Sequence, residues 1–166
     1  MSHTQDALPT DNLGHNSDVL VELAQARDMD ELMTLRPAYL AEDIGHIEDT
    51  RYADNLRHYL EAHLGRDLTV CIARDEQIVG CAWLLEVEKP PSPRFPTGKT
   101  ATVLNVYVLP DWRGQGIGTS LLRRLADEAR TRGIEQVSLL ATQAGAALYR
   151  RTGFVERDYL PMALQP

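Results

Sequence analysis

The stretch "VLPDWRGQGIGTSLL", Val108 to Leu122, places three glycines within five residues, between a β-branched run and an apolar helical run. A chain that leaves a strand, turns through Gly114, Gly116 and Gly118 and at once enters a helix is committed to a strand–loop–helix corner. Removing three Cβ atoms lets several backbone N–H groups turn toward one anion. The helix start adds unpaired N–H groups and a partial positive charge, each such interaction contributing about 0.3–2 kcal/mol. Arg113 puts a cation at the loop entrance. A packing turn alone needs only one glycine, so the stretch reads as an anion site.

The flanking pattern predicts what this corner is built into. "VLVELAQA" (Val19–Ala26) alternates as a first strand, and residues 1–17 before it are polar and read as a tail, leaving 18–166 as a single domain. Helical spacing covers Asp28–Asp43, with Pro37 expected to end or kink it. A second helix fits "TRYADNLRHYLEAHLG", whose stripe of Tyr52, Leu56, Tyr59, Leu60 and Leu64 closes at Gly65. Two strands, "DLTVCIARD" and "QIVGCAWLLEVE", meet in a tight hairpin at Asp75–Glu76. The proline-rich segment Lys89–Thr100 is a loop long enough to be functional. Then come the strand "ATVLNVYVL", the glycine loop, and a helix with Ile117, Leu121, Leu122, Leu125, Ala126 and Ala129 on one face. "QVSLLAT" reads as a further strand, "AGAALYRRT" as a short helix and "FVERDYLPMAL" as a closing extended segment of one or two strands. Antiparallel strands followed by a βαβ crossover give an α/β fold with a mixed sheet and helices on both faces.

Composition removes several classes. The 166 residues carry a net charge of −7 with 43% hydrophobic residues, which disfavours nucleic acid and anionic membranes as partners. No apolar run reaches the roughly 18–20 residues a bilayer requires, and the first residues lack a signal-peptide pattern, so the cytoplasm is the default location. Cys71 and Cys81 lie inside apolar strand-like runs and read as small buried hydrophobes in a reducing compartment. The five histidines show no ligand spacing, and no metal is expected.

The anion need not be a nucleotide. A P-loop requires Gly-Lys-Ser/Thr, but Thr119 follows Gly118 with no lysine. A dinucleotide fingerprint requires its third glycine one residue later, and an acidic residue at the end of the next strand, whereas Glu135 precedes it.

"VYVLPDWRGQGIGTSLL" resembles the acetyl-CoA-binding motif of the GCN5-related N-acetyltransferase (GNAT) family: Arg or Gln, two residues, Gly, one residue, Gly or Ala. Arg113, Gly116 and Gly118 fill those positions, and "ALYRRTGF" (Ala147–Phe154) looks like the family's last block. The resemblance is specific over about residues 103–155, and in element order it extends over 19–164. It implies the GNAT-like acyl-CoA N-acyltransferase fold, a mostly antiparallel sheet with one splayed parallel pair. It further implies that acetyl-CoA is the cosubstrate, its diphosphate on the amides of Arg113, Gly114, Gln115, Gly116, Ile117 and Gly118, with Thr119 in the first helical turn. The pantetheine arm is implied to run beside the N–H groups of Val106 and Val108, one of which polarises the thioester.

Tyr149 stands where similar enzymes carry a general acid. Thr142 stands where the family often has an asparagine contacting pantetheine, and Thr102 replaces the glutamate of the histone-modifying branch. Asn105 and Tyr107 are polar residues in the same strand and are candidates for the acceptor site, although an asparagine can also serve a bulge. Glu42, Asp43, Glu48 and Asp49 fall in a segment that borders the acceptor pocket in this family, where they either attract a cationic amine or only solvate a loop. The expected activity is direct transfer of acetyl to a primary amine of a small molecule. A protein amino terminus or lysine as acceptor, and a non-catalytic acyl-CoA sensor, are the competing readings. The family often pairs subunits through its carboxy-terminal strands, which makes a homodimer a further expectation.

Overall fold

A computed structural model describes residues 19–47, 49–158 and 160–165, so the expected tail and Glu48 lie outside the described residues. Strand β1 (Leu20–Leu23) leads through a single turn into helix α1 (Met29–Ile44) and helix α2 (Tyr52–His63). Strands β2 (Leu68–Arg74), β3 (Ile78–Glu88) and β4 (Lys99–Val108) follow, then helix α3 (Ile117–Thr131), strand β5 (Gln136–Ser138) and helix α4 (Ala146–Arg151). The sheet runs β1-β2-β3-β4-β5; β4 and β5 are parallel and every other pair is antiparallel.

Two apolar layers sandwich the sheet. On one face, Leu32 and Leu35 of α1 and Leu56 and Leu60 of α2 meet Val70, Ile72, Trp83 and Tyr107. On the other, Ile117, Leu121, Leu125 and Ala129 of α3 meet Cys71, Ala73, Val79, Ala82 and Leu84. Central strands buried on both faces need the near-continuous apolar runs that β2 and β3 supply.

Three sequence expectations are corrected. Of the two effects expected of Pro37, ending the helix is excluded, since α1 continues through it to Ile44. A mid-helix proline costs about 3 kcal/mol, and packing of the α1 face on the sheet outweighs that loss. β5 stops at Ser138 instead of continuing to Thr142, because its register with β4 holds only for Thr100 to Thr102. No described residue of the closing segment joins the sheet; Val155, Leu160, Met162 and Leu164 are exposed. Their apolar character mimics a strand but finds no partner edge.

A half-buried ionic cluster ties β1, the turn before α1, and α1 itself to β2. Arg74 donates to Glu22 Oε1 at 3.0 Å, Asp28 Oδ1 at 2.5 Å and Glu31 Oε1 at 3.0 Å. Glu31 Oε2 also accepts the Ile78 N–H at 2.6 Å, and Asp28 Oδ2 accepts that of Gln25 at 2.7 Å. These carboxylates hold the guanidinium pKa above its ordinary value. Arg74→Leu strips Asp28, only 3% exposed, of its close cation and leaves it the Gln25 N–H and the exposed Arg27 guanidinium at 3.8 Å. Urea unfolding is expected to register a loss of about 3 kcal/mol or more, with an unchanged slope.

Candidate functional site

The site starts with one extra residue in β4. Trp83 pairs with Asn105 and Leu84 with Val103, so Leu104 has no partner and forms a bulge. Ahead of it Ala101 and Val103 belong to the α3 layer; beyond it Val106 and Val108 do. The step from 103 to 106 is impossible in a plain pleat. It turns Asn105 and Tyr107 toward α1 and α2, and the strand bends.

The same bend frees one edge of β4. Leu109 donates to Val79 O at 2.8 Å, and Tyr107 O lies 3.0 Å from where a Cβ on Gly80 would stand. Residues 107 and 109 therefore direct their polar groups at β3, and Val106 and Val108 direct theirs to the opposite side. β5 ends opposite Thr102, so no described strand covers that side from Val103 onward. Val108 O is met there by Arg113 Nε at 2.8 Å.

The glycine loop follows directly. Gly114 and Gly116 take φ of +76° and +82°, left-handed values that side chains resist, and open space surrounds the Cβ position of each. Gly118 serves packing instead, since a Cβ there would meet Leu148 Cδ2 at 3.2 Å, and its absence lets α3 approach α4. The first helical bond of α3 runs from Ser120 N–H to Gly116 O. Arg113 N–H is taken by Pro110 O at 3.2 Å, whereas no acceptor takes the amides of Gly114 through Thr119 among the described residues.

These parts border one cavity of about 660 Å³. Of the residues singled out in the sequence, Glu42, Asp43, Val106, Tyr107, Val108, Arg113, Gly114, Gly116, Ile117, Gly118, Thr119 and Thr142 line it. Gln115 points away, toward Asp111 O at 3.4 Å. Asn105 is 1% exposed and off the cavity wall, accepting from Arg36 Nη1 at 2.8 Å. Tyr149 is half-buried at the cavity margin and is not itself a lining residue; its ring lies 3.0 Å from where a Gly145 Cβ would be and edge-on to Phe154, and its phenol is close enough to the lining residue Tyr39 to feel its charge. Burial, more than the neighbouring Tyr39 phenol, pushes the Tyr149 pKa above its usual value.

Electrostatics across the cavity differ from the simple expectation of a free cation and a free carboxylate. Arg113 Nη2 donates to both oxygens of Glu42 at 2.8 Å, and Tyr107 Oη donates to Glu42 Oε1 at 2.9 Å. The bond from Arg113 holds the Glu42 carboxyl below the usual range. The Tyr107 phenol is pushed up, first by burial and then by Glu42. Arg113 and Glu42 thus match each other's charge and tie the end of α1 to the end of β4.

Sequence reasoning missed Tyr39, Trp112 and Leu148, although all three line the cavity, and the exposed Arg151 lies at its border as well. Tyr39 sits on the same helical stripe as Leu32 and Leu35, where a cavity residue and a core residue look alike. Among the described residues no group of three or more His, Cys, Asp or Glu is placed to hold a metal, and no helix is long and apolar enough to cross a membrane.

Orphan amides at a strand-to-helix turn, continuous with the bare edge of a strand, make a site of the class that takes an anionic group with an extended arm. The chain belongs to the acetyltransferase (GNAT) family, whose model matches residues 29–154. It is 31% identical over 81 residues to an uncharacterized N-acetyltransferase of Methanocaldococcus jannaschii, a stretch covering 47% of this chain and 32% of that protein. It is 39% identical over 70 residues to a ribosomal protein bS18-alanine N-acetyltransferase of Salmonella typhimurium, covering 38% and 47%. These matches thus span about a third to a half of the curated relatives' length. A predicted acetyltransferase from Clostridium acetobutylicum, solved with acetyl-CoA, superposes with a TM-score of 0.80 at 28% identity over 88% of this chain and 96% of its own.

Proposed function

We propose that this chain transfers the acetyl group of acetyl-CoA to the primary amine of a small molecule, directly, in a complex holding both substrates. The observation that carries the reading is that two sets of free amides share one cavity. Those of Gly114 to Thr119 suit a diphosphate, and those of Val106 and Val108 suit an extended amide-bearing arm. The cavity's size is that of a small-molecule site. Because Arg113 is already matched by Glu42, the backbone rather than that guanidinium holds the diphosphate.

Each step then falls to a group of this chain. The Val106 or Val108 N–H stabilises charge growing on the thioester oxygen, worth about 3–4 kcal/mol for one such donor. A neutral amine attacks the carbonyl carbon, the C–N bond forms and the C–S bond breaks. Tyr149, held protonated by its raised pKa, gives the sulfur its proton, and the proton released by the amine passes to solvent. Thr142 Oγ1 accepts the Gly145 N–H at 3.2 Å and so orders the turn that brings α4 to the cavity. Burial pushes the Cys71 and Cys81 thiols up to about 12, and neither lines the cavity. An acetyl-cysteine intermediate therefore has no candidate nucleophile in these two residues, which supports direct transfer.

A screen of amine classes with acetyl-CoA, read by release of free thiol, tests this reading. Amine-dependent thiol release is expected for a small-molecule class. Normal acetyl-CoA binding with no release for any amine, peptide amines included, would establish a cofactor sensor in place of an enzyme.

A further inference from the structure

Among the described residues, every arginine but one either pairs with a carboxylate or is exposed. The exception is Arg36, on the sheet-facing side of α1. Its guanidinium lies 5.6 Å from the Tyr39 ring centroid and 5.4 Å from that of Trp83. It donates to the neutral amide of Asn105, whose own Nδ2 is spent on Cys81 Sγ at 3.5 Å, and it also bonds the Tyr52 phenol oxygen, so no charged acceptor meets it. A guanidinium carries five N–H donors, so most of them remain unused.

Two more donors stand in the same cluster. The buried Tyr52 hydroxyl has no acceptor for its own proton, and Trp83 Nε1, on a side chain only 2% exposed, faces no acceptor but the soft sulfur of Cys81. The Arg36 charge acts on the Tyr52 phenol, which places the two groups together. An uncompensated half-buried cation beside orphaned donors is costly, unless something absent from the chain supplies the acceptor. The guanidinium fork fits a carboxylate, and one positive charge balances one negative, whereas a phosphate monoester would leave charge in excess.

We propose that Arg36, with Tyr52 and Trp83, receives the carboxylate of the acceptor, which makes the acceptor an amine that also carries a carboxylate, of the amino-acid type. The proposal deepens the transferase reading and rests on it. Tyr39 joins the two regions: its ring lies against the guanidinium and also on the cavity wall, 6.3 Å from the Tyr107 ring. The carboxylate end then lies on the α1 side of Tyr39, and the amine end lies in the cavity beside Val106 and Val108, with Asp43 on the same wall.

The test measures kcat/KM for amino acids and for their decarboxylated twins, such as lysine against cadaverine, in wild type, Arg36→Met and Tyr52→Phe. Acetyl-CoA binding by calorimetry is measured alongside in all three. Wild type is expected to prefer the carboxylated member by at least about tenfold, the scale of one charge-assisted hydrogen bond. Arg36→Met is expected to bring that ratio toward one, and Tyr52→Phe to reduce it, with acetyl-CoA affinity retained. If Arg36→Met does not fold, the ratio in Tyr52→Phe decides. Equal rates for the twins in wild type, turnover of decarboxylated amines alone, or an unchanged ratio in the folded variants would overturn the proposal while leaving the transferase reading intact. Loss of acetyl-CoA binding in wild type would instead remove the reading on which it stands.

Discussion

Gly116→Asp is expected to weaken acetyl-CoA binding at least about a hundredfold, or about 2.7 kcal/mol, by calorimetry. Two effects combine at this position. The new carboxylate stands among the amides of Gly114 to Thr119 and answers the donors that a diphosphate would use, while adding like charge. The residue also sits at φ +82°, where a side chain costs about 1–2 kcal/mol of local strain. Gly116→Ala separates the two, since nothing lies within 4 Å of its Cβ and only the strain remains. The alanine variant is expected to lose far less affinity than the aspartate. Equal affinities in wild type and the aspartate variant would mean that the diphosphate is bound elsewhere.

Tyr149→Phe is expected to lower kcat by a factor of about 10²–10⁴, the usual contribution of a positioned acid. Affinity for acetyl-CoA and thermal stability stay close to wild type, because the ring keeps its edge-on contact with Phe154 at 5.9 Å. The pH dependence has a definite sign. A pKa raised above the ordinary 10.0 keeps the phenol protonated through neutral and mildly alkaline solution. Activity that depends on it is lost only as pH rises through that raised value, so the alkaline limb of kcat lies above pH 10 and is absent from the variant. Wild-type turnover by Tyr149→Phe with every acceptor would end the general-acid assignment.

The glycine loop was legible because all of its parts are contiguous. Left-handed backbone, helix start and orphan amides are properties of neighbouring residues, and Arg113-x-x-Gly116-x-Gly118 displays them in one line. The helical stripe of α3 was readable for the same reason, since its period is local. Pro37 misled because the penalty it signals is local, while the packing that overrides it comes from the sheet. The closing segment misled in the opposite way, since an alternating apolar pattern cannot say whether an edge exists to receive it.

Residues of the acceptor side were least readable. Glu42 and Arg113 lie 71 positions apart, and only folding discloses that each neutralises the other. Arg36 and Asn105 are separated by 69, and nothing in α1 marks one arginine as lacking a carboxylate.

Sequence alone determined the corner from strand to helix, the apolar stripe of α3 and the family motif, because each depends on interactions between near neighbours. Tertiary structure decided where β4 bulges, that β5 stops at Ser138 and leaves Val106 and Val108 bare, and which charges meet across the cavity. Those outcomes depend on register and on contacts between distant segments, which a linear pattern does not specify.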